Sequence, residues 1–182
     1  EFLESCLYEY YSKIQNGEIR AGKWVKKIYK ILIDGIKEKK WYYDSKKANK
    51  CIKFIETFVH HSKGRSDLLK LELWQKSIIC AIFGIVKEDG RRQFREVVLV
   101  VARKNGKSLF ASAIMSCMAY IDKEYGADLY CLAPKLEQAN IVFDNFYKSI
   151  SYESDLMAMS KKRRTDIYID STNTTIKPLA FS

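Results

Sequence analysis

Residues 95–108 read REVVLVVARKNGKS, and the fold turns on how they are read. The first eight carry a β-branched run, continuously apolar from Val97 to Ala102, the pattern of a central strand buried on both faces. A Gly-Lys-Ser triplet follows. LFASAIMS then opens a helix in which Leu109, Phe110, Ala113, Ile114, Cys117, Met118 and Ile121 keep the 3.6-residue period. A phosphate-binding loop needs this order: it leaves a buried strand, turns so that backbone N–H groups converge, and starts a helix whose dipole faces the anion. In that role Gly106 lets the backbone approach phosphate, Lys107 reaches the β- and γ-phosphates, and Ser108 binds Mg2+. The full pattern has glycine at position 101, where this chain has Val101. A basic strand-to-helix turn also fits these residues. Arg103 and Lys104 have two readings as well: solvated turn residues, or, for Arg103, an arginine finger acting on the γ-phosphate within one chain.

Downstream the pattern repeats. ADLYCLA at 127–133 reads as a second strand ending in Pro134, and Leu136, Ala139, Phe143, Phe146 and Ile150 mark the next helix. Strand, turn, helix, strand, turn, helix implies an α/β fold with a parallel sheet. TDIYID and TTIKPLAF suggest two more strands, with a hairpin around STN. Upstream the chain reads as helical. Trp24, Ile28, Ile31, Leu32 and Ile36 recur at helical spacing, a second helix fits 46–60, and a third begins near Glu72. HSKGRSD at 61–67 is rich in turn formers, which predicts a basic helical region over 1–63 and an α/β region over 64–182.

Composition narrows the partners. The 182 residues carry a net charge of +10, and residues 1–63 hold 14 basic against 8 acidic side chains, so a polyanion is a natural partner. The five cysteines form no Cys-x-x-Cys pair and the two histidines are adjacent, which fits buried thiols rather than a zinc site or a disulfide framework. The most apolar stretch, IICAIFGIV at 78–86, is too short to span a bilayer. The basic runs KEKK at 37–40, KK at 46–47 and KKRR at 161–164 fit a DNA backbone or plain solvated faces, and WYYD at 41–44 fits base stacking or helix packing. The chain begins without methionine and stops after KPLAFS, so we expect a piece of a longer protein.

Four segments in order resemble the N-terminal part of the large terminase subunit of tailed bacteriophages: GEIRAGKWVKKIYKIL at 17–32, LELWQKSIICAIFGI at 71–85, ARKNGKS at 102–108 and LYCLAPKLEQANIVFD at 129–144. The resemblance implies an incomplete P-loop NTPase core behind a helical N-terminal region. It implies an ATPase using ATP and Mg2+ to drive double-stranded DNA into a procapsid. The partners it implies are a portal protein, a small terminase subunit and further copies in a ring, with no membrane, in the cytoplasm of a bacterial host. By the same resemblance Gln75 recognises the adenine edge and Trp74 helps wall that pocket, although Trp74 fits core packing as well. Arg103, Lys104, Asn105, Gly106, Lys107 and Ser108 make the nucleotide loop, with Arg103 and Lys107 catalytic and Ser108 the magnesium ligand. Pro134, Lys135 and Gln138 fall in a motif that couples nucleotide state to DNA or to neighbouring subunits, and an ordinary helix start fits them equally.

The family's second acidic motif, an apolar strand ending in Asp-Glu, is missing. IYID ends at Asp170, but Ser171 follows and Asp170 reads as a turn residue. We therefore expect that motif, and a nuclease domain, beyond residue 182, with weak nucleotide binding and poor turnover by the chain alone. Two rival readings stay open at this point: a superfamily 2 helicase or translocase core, and a non-catalytic DNA- or partner-binding module.

Overall fold

The computed structural model describes residues 2–122 and 124–181. By compactness they fall into two units, one comprising Glu1–Lys53 with Leu71–Val100 and the other Phe54–Lys70 with Val101–Ser182.

In the first unit, helix α1 (Cys6–Gln15) starts at Ser5, whose hydroxyl accepts the Tyr8 N–H at 3.2 Å. Helix α2 (Lys23–Lys37) follows, then a two-residue strand β1 (Tyr42–Tyr43) and the start of helix α3 (Ser45–Phe58). Helix α4 (Leu73–Ile79) widens into a π-helical turn over Cys80–Gly84, and strand β2 (Ile85–Val86) pairs antiparallel with β1. Leu7, Ile33, Ile79, Cys80 and Ile85 are fully buried at the centre.

The apolar row expected to seat α2 does so only at its Leu32 end. Tyr29, Leu32 and Ile33 are the buried residues, whereas Trp24, Ile28 and Ile31 are 71%, 49% and 45% exposed. The helix carries two apolar sectors, and the packing selects the one that includes Gly35. There the Trp41 ring lies so close that an added Cβ would come within 2.0 Å of it, and Trp41 Nε1 donates to the Leu32 carbonyl at 3.2 Å. Tyr29 anchors the same face, edge-on to Tyr10 at 4.9 Å.

The second unit contains helix α5 (Lys107–Tyr120), strand β3 (Asp128–Ala133), helices α6 (Leu136–Ser151) and α7 (Ser154–Met159), and strands β4 (Ser160–Lys162), β5 (Ile167–Ile169) and β6 (Thr174–Ala180). The sheet order is β3-β6-β5-β4, with β3 parallel to β6 and the other pairs antiparallel. The expected hairpin is β5–β6, turned by Asp170–Thr172 and a left-handed Asn173. Helix α6 packs on β3 and β6 and against α5, enclosing Phe110, Phe143, Phe146, Ile150, Ile167 and Ile176. On the opposite sheet face, Tyr130 and Leu132 of β3 are exposed.

Pro178 shows how the register tolerates a proline. Thr175 and Phe181 send their N–H groups to Ala127 and Ala133, so the odd positions of β6 face β3. The missing N–H of Pro178 is therefore on the β5 side, and β5 pairs only with Thr174–Ile176. No ladder bond is lost there.

The run at 95–102 departs from its expected place. It forms no strand, and Val98 and Val100 are 89% and 92% exposed. A strand exists only through a ladder partner, and none of the described strands pairs with this run. The fold class is nonetheless α/β, with one parallel pair inside a mixed sheet.

Candidate nucleotide-binding site

The turn at 103–106 is built from two left-handed residues, Lys104 at φ +67° and Gly106 at φ +68°. Asn105 stands between them, its Nδ2 donating to the Ala102 carbonyl at 3.3 Å. A lysine in this conformation costs about 1–2 kcal/mol, strain of the kind that collects at functional loops. Gly106 meets no such cost, and the space where a Cβ would stand is open.

Gly106 also caps α5. Its carbonyl accepts the Phe110 N–H at 2.9 Å, but it has no side chain for the N–H groups that precede Phe110. The N–H groups of Lys107, Ser108 and Leu109 thus open a 14-residue helix at its positive end, without a capping side chain. Around them Arg103, Lys104 and Lys107 are exposed, and none has an ion-pair partner among the described residues. Ser108 is half-buried on the first turn. Free donors, uncompensated cations and an open glycine face make an anion site that suits phosphate groups. Among the described residues no cluster of three or more His, Cys, Asp or Glu side chains could hold a metal.

The other expected residues sit elsewhere. Gln75 and Trp74 belong to α4 in the first unit. Gln75 is buried and closes a capping box: its Oε1 accepts the Glu72 N–H at 2.9 Å while the Glu72 carboxylate accepts the Gln75 N–H. The Nε2 group takes no part in that box. Trp74 is half-buried, and its carbonyl accepts the Ser77 hydroxyl at 2.7 Å. Tyr29 Oη in turn donates to Ser77 Oγ at 2.5 Å. Burial drives the Tyr29 phenol well above its usual range, so it stays protonated. Sequence reasoning missed this relay, because nothing local links Tyr29 to Ser77.

Pro134, Lys135 and Gln138 are exposed at the start of α6. Lys135 is the cap residue, Pro134 precedes it, and the Gln138 N–H donates to the Lys135 carbonyl at 3.0 Å.

Two basic runs behave differently. In KKRR, Lys161 pairs with Asp170 and Arg163 with Asp166, and the Lys162 ammonium sits 4.9 Å from the Phe143 ring centre. Arg164 is the member of that run with no ion-pair partner among the described residues. On α3, by contrast, Lys46, Lys50 and Lys53 line one exposed face with no ion-pair partner among the described residues. Asp170 opens the β5–β6 turn and is committed to Lys161, as a turn residue should be.

A family model for the terminase large subunit, ATPase domain, matches residues 73–182. Comparison with curated proteins gives no match. The crystal structure of the HK97 bacteriophage large terminase aligns with a TM-score of 0.64 and 23% identity over 73% of this chain and 27% of that one. The chain therefore spans about a quarter of that terminase's length, and at this identity the likeness bears on the fold alone. Residues 73–182 contain α4, the loop, α5 and the whole sheet of the second unit, so the chain belongs to the terminase large subunit family and carries sequence of its ATPase domain.

Proposed function

We propose that this chain is the ATP-binding part of a viral DNA-packaging motor, in which ATP binding and hydrolysis drive double-stranded DNA into a procapsid. The observation that carries the reading is the left-handed Gly106 opening α5 directly before an uncompensated Lys107, within a family-matched ATPase segment. In this reading the N–H groups of α5 and the Lys107 ammonium hold the β- and γ-phosphates. Arg103 reaches the γ-phosphate as it leaves, and Lys104 and Asn105 shape the loop. Ser108 is the protein ligand of Mg2+, which when bound neutralises phosphate charge. Gln75 recognises the adenine edge through its side-chain amide. Trp74 walls the base, and Pro134, Lys135 and Gln138 relay nucleotide state to DNA or to a neighbouring subunit.

The wider reading includes a basic helical region over 1–63, the first part of the ATPase over 64–182, and a water-activating acid and a nuclease domain on sequence beyond residue 182. Its partners are a portal protein, a small terminase subunit and further copies in a ring, in the host cytoplasm. The α3 row of Lys46, Lys50 and Lys53 suits a DNA backbone better than the KKRR run, where Lys161 and Arg163 are already paired.

The test is titration of a fluorescent ATP analogue with Mg2+ into the wild-type chain and Lys107→Ala. Loss of charge-assisted phosphate contacts should weaken binding about 10–100-fold. Equal affinity in the two proteins overturns the site.

A further inference from the structure

Helix α2 leaves an apolar row in water. Trp24, Ile28 and Ile31 lie at spacings of four and three residues, so they share one face, and Val25 adds to its edge at 37% exposure. Contiguous exposed apolar surface on one helix face marks an interaction site more often than scattered single residues do. A lysine ridge runs alongside. Lys30 is held by Asp34 at 2.5 Å, but Lys23, Lys26 and Lys27 have no carboxylate partner among the described residues. The Lys23 and Lys27 ammonium groups rest instead 5.5 and 5.6 Å from the Trp24 ring centre.

The start of the helix has the same imbalance. Gly22 is the cap residue and offers no side chain, the first turn holds no acidic residue, and Lys23 and Lys26 oppose the positive end of the dipole. A wet apolar row and unopposed cations have one common remedy: a partner surface that is apolar along its middle and acidic along its border. A second copy of this face would set lysine against lysine. Duplex DNA would supply the anions but leave Ile28 and Ile31 uncovered.

We propose that the Trp24–Ile28–Ile31 row docks an amphipathic helix of another protein, whose apolar stripe covers the row and whose Asp or Glu side chains pair with Lys23 and Lys27. Trp24 is the anchor, a large ring that shields the contact and is already flanked by the two cations.

The experiment is fluorescence anisotropy of a labelled synthetic helix of about 18 residues, with Leu at i, i+3, i+4 and i+7 and Glu along both borders. Saturable binding is expected. It should weaken about 10-fold or more in Trp24→Ala and in the Lys23→Glu/Lys27→Glu double variant. It should also vanish when the peptide's Glu residues are replaced by Lys. Trp24 is exposed, so Trp24→Ala should keep the far-ultraviolet circular dichroism of the parent. Lys46→Glu/Lys50→Glu on α3 should bind the peptide as the parent does. Absence of saturable binding, or binding that Trp24→Ala leaves intact, overturns the proposal. So does Trp24-dependent self-association, or Trp24-dependent adsorption to phosphatidylglycerol vesicles that the peptide does not displace.

Discussion

Residues 95–121 and 127–150 follow one sequence plan, an apolar strand-like run, a turn and a helix, yet they fold differently. Both helices form where the periodicity places them, α5 from Lys107 and α6 from Leu136. Only the second run becomes a strand: β3 pairs with β6 from Asp128↔Thr175 to Ala133↔Ala180, whereas Val98 and Val100 stand in solvent. A helix satisfies its backbone within itself, so a local pattern is enough to specify it. A strand needs a neighbour from elsewhere in the chain, and an apolar β-branched run states only that need.

The largest expected effect tests this contrast directly. Ile176 is fully buried in β6, and Ile176→Ala should cost about 2–5 kcal/mol in chemical denaturation. Val98→Ala, at an 89% exposed position, should change stability by less than about 0.5 kcal/mol. Comparable losses would mean that residues 97–101 are packed as a strand after all.

The same distinction explains what the sequence reveals elsewhere. Helices α2, α3 and α4, the β5–β6 hairpin and the loop-to-helix turn are all local features, and each is legible. Which face of α2 is buried depends on Trp41 filling the space at Gly35, a contact that periodicity does not encode. The capping role of Gln75 is written in the spacing of Glu72 and Gln75, although glutamate is an uncommon cap residue. Charge runs are the least legible. KKRR and the α3 lysines look alike in sequence, and only the fold brings Asp166 and Asp170 to the former. The turn at Arg103–Lys107 that opens α5 is legible as a group, because a turn at a helix start is itself local.

A middle-sized effect sharpens the comparison at the turns. The loop before α5 is strained at Lys104, whereas the approach to α6 passes through Pro134 and an extended Lys135. Lys104→Gly should therefore raise stability by up to about 1 kcal/mol, as relief of left-handed strain exceeds the added chain entropy. Gly106→Ala should lower it by about 1–2 kcal/mol, because a Cβ is strained at φ +68°. Both changes are read from thermal or chemical denaturation. If Lys104→Gly destabilises the chain, the left-handed turn is not the resting form of the loop.

The smallest effect concerns two adjacent histidines whose environments have opposite signs. His60 Nε2 lies 2.6 Å from a Glu153 carboxylate oxygen, and Nδ1 lies 2.6 Å from the Ser66 carbonyl. Both partners are acceptors, so both ring nitrogens donate only when the ring is charged. Burial alone would lower the His60 pKa, but the Glu153 hydrogen bond, the Ser66 carbonyl and the nearby carboxylates of Glu153 and Asp67 outweigh it and raise it above 6.5. His61 goes the other way, lowered first by burial and then by Arg65, whose guanidinium donates to His61 Nε2 at 2.6 Å. A raised folded pKa makes the His60 contribution complete below about pH 6.5 and lost as pH climbs through the folded value. His61 contributes the reverse slope, losing stability as pH falls below about 6.5. Denaturation from about pH 5.5 to about pH 8.5 should thus show a weak, composite profile in the parent. His60→Gln should remove the loss on the alkaline side, by no more than about 1 kcal/mol for a pair this near the surface. A parent profile that His60→Gln leaves unchanged would mean that the ring is neutral, and that the clamp between residues 60–69 and the end of α6 holds through the Ser149 hydroxyl, which accepts the His60 N–H at 2.8 Å, and the Leu69 N–H to Val59 carbonyl bond at 2.7 Å.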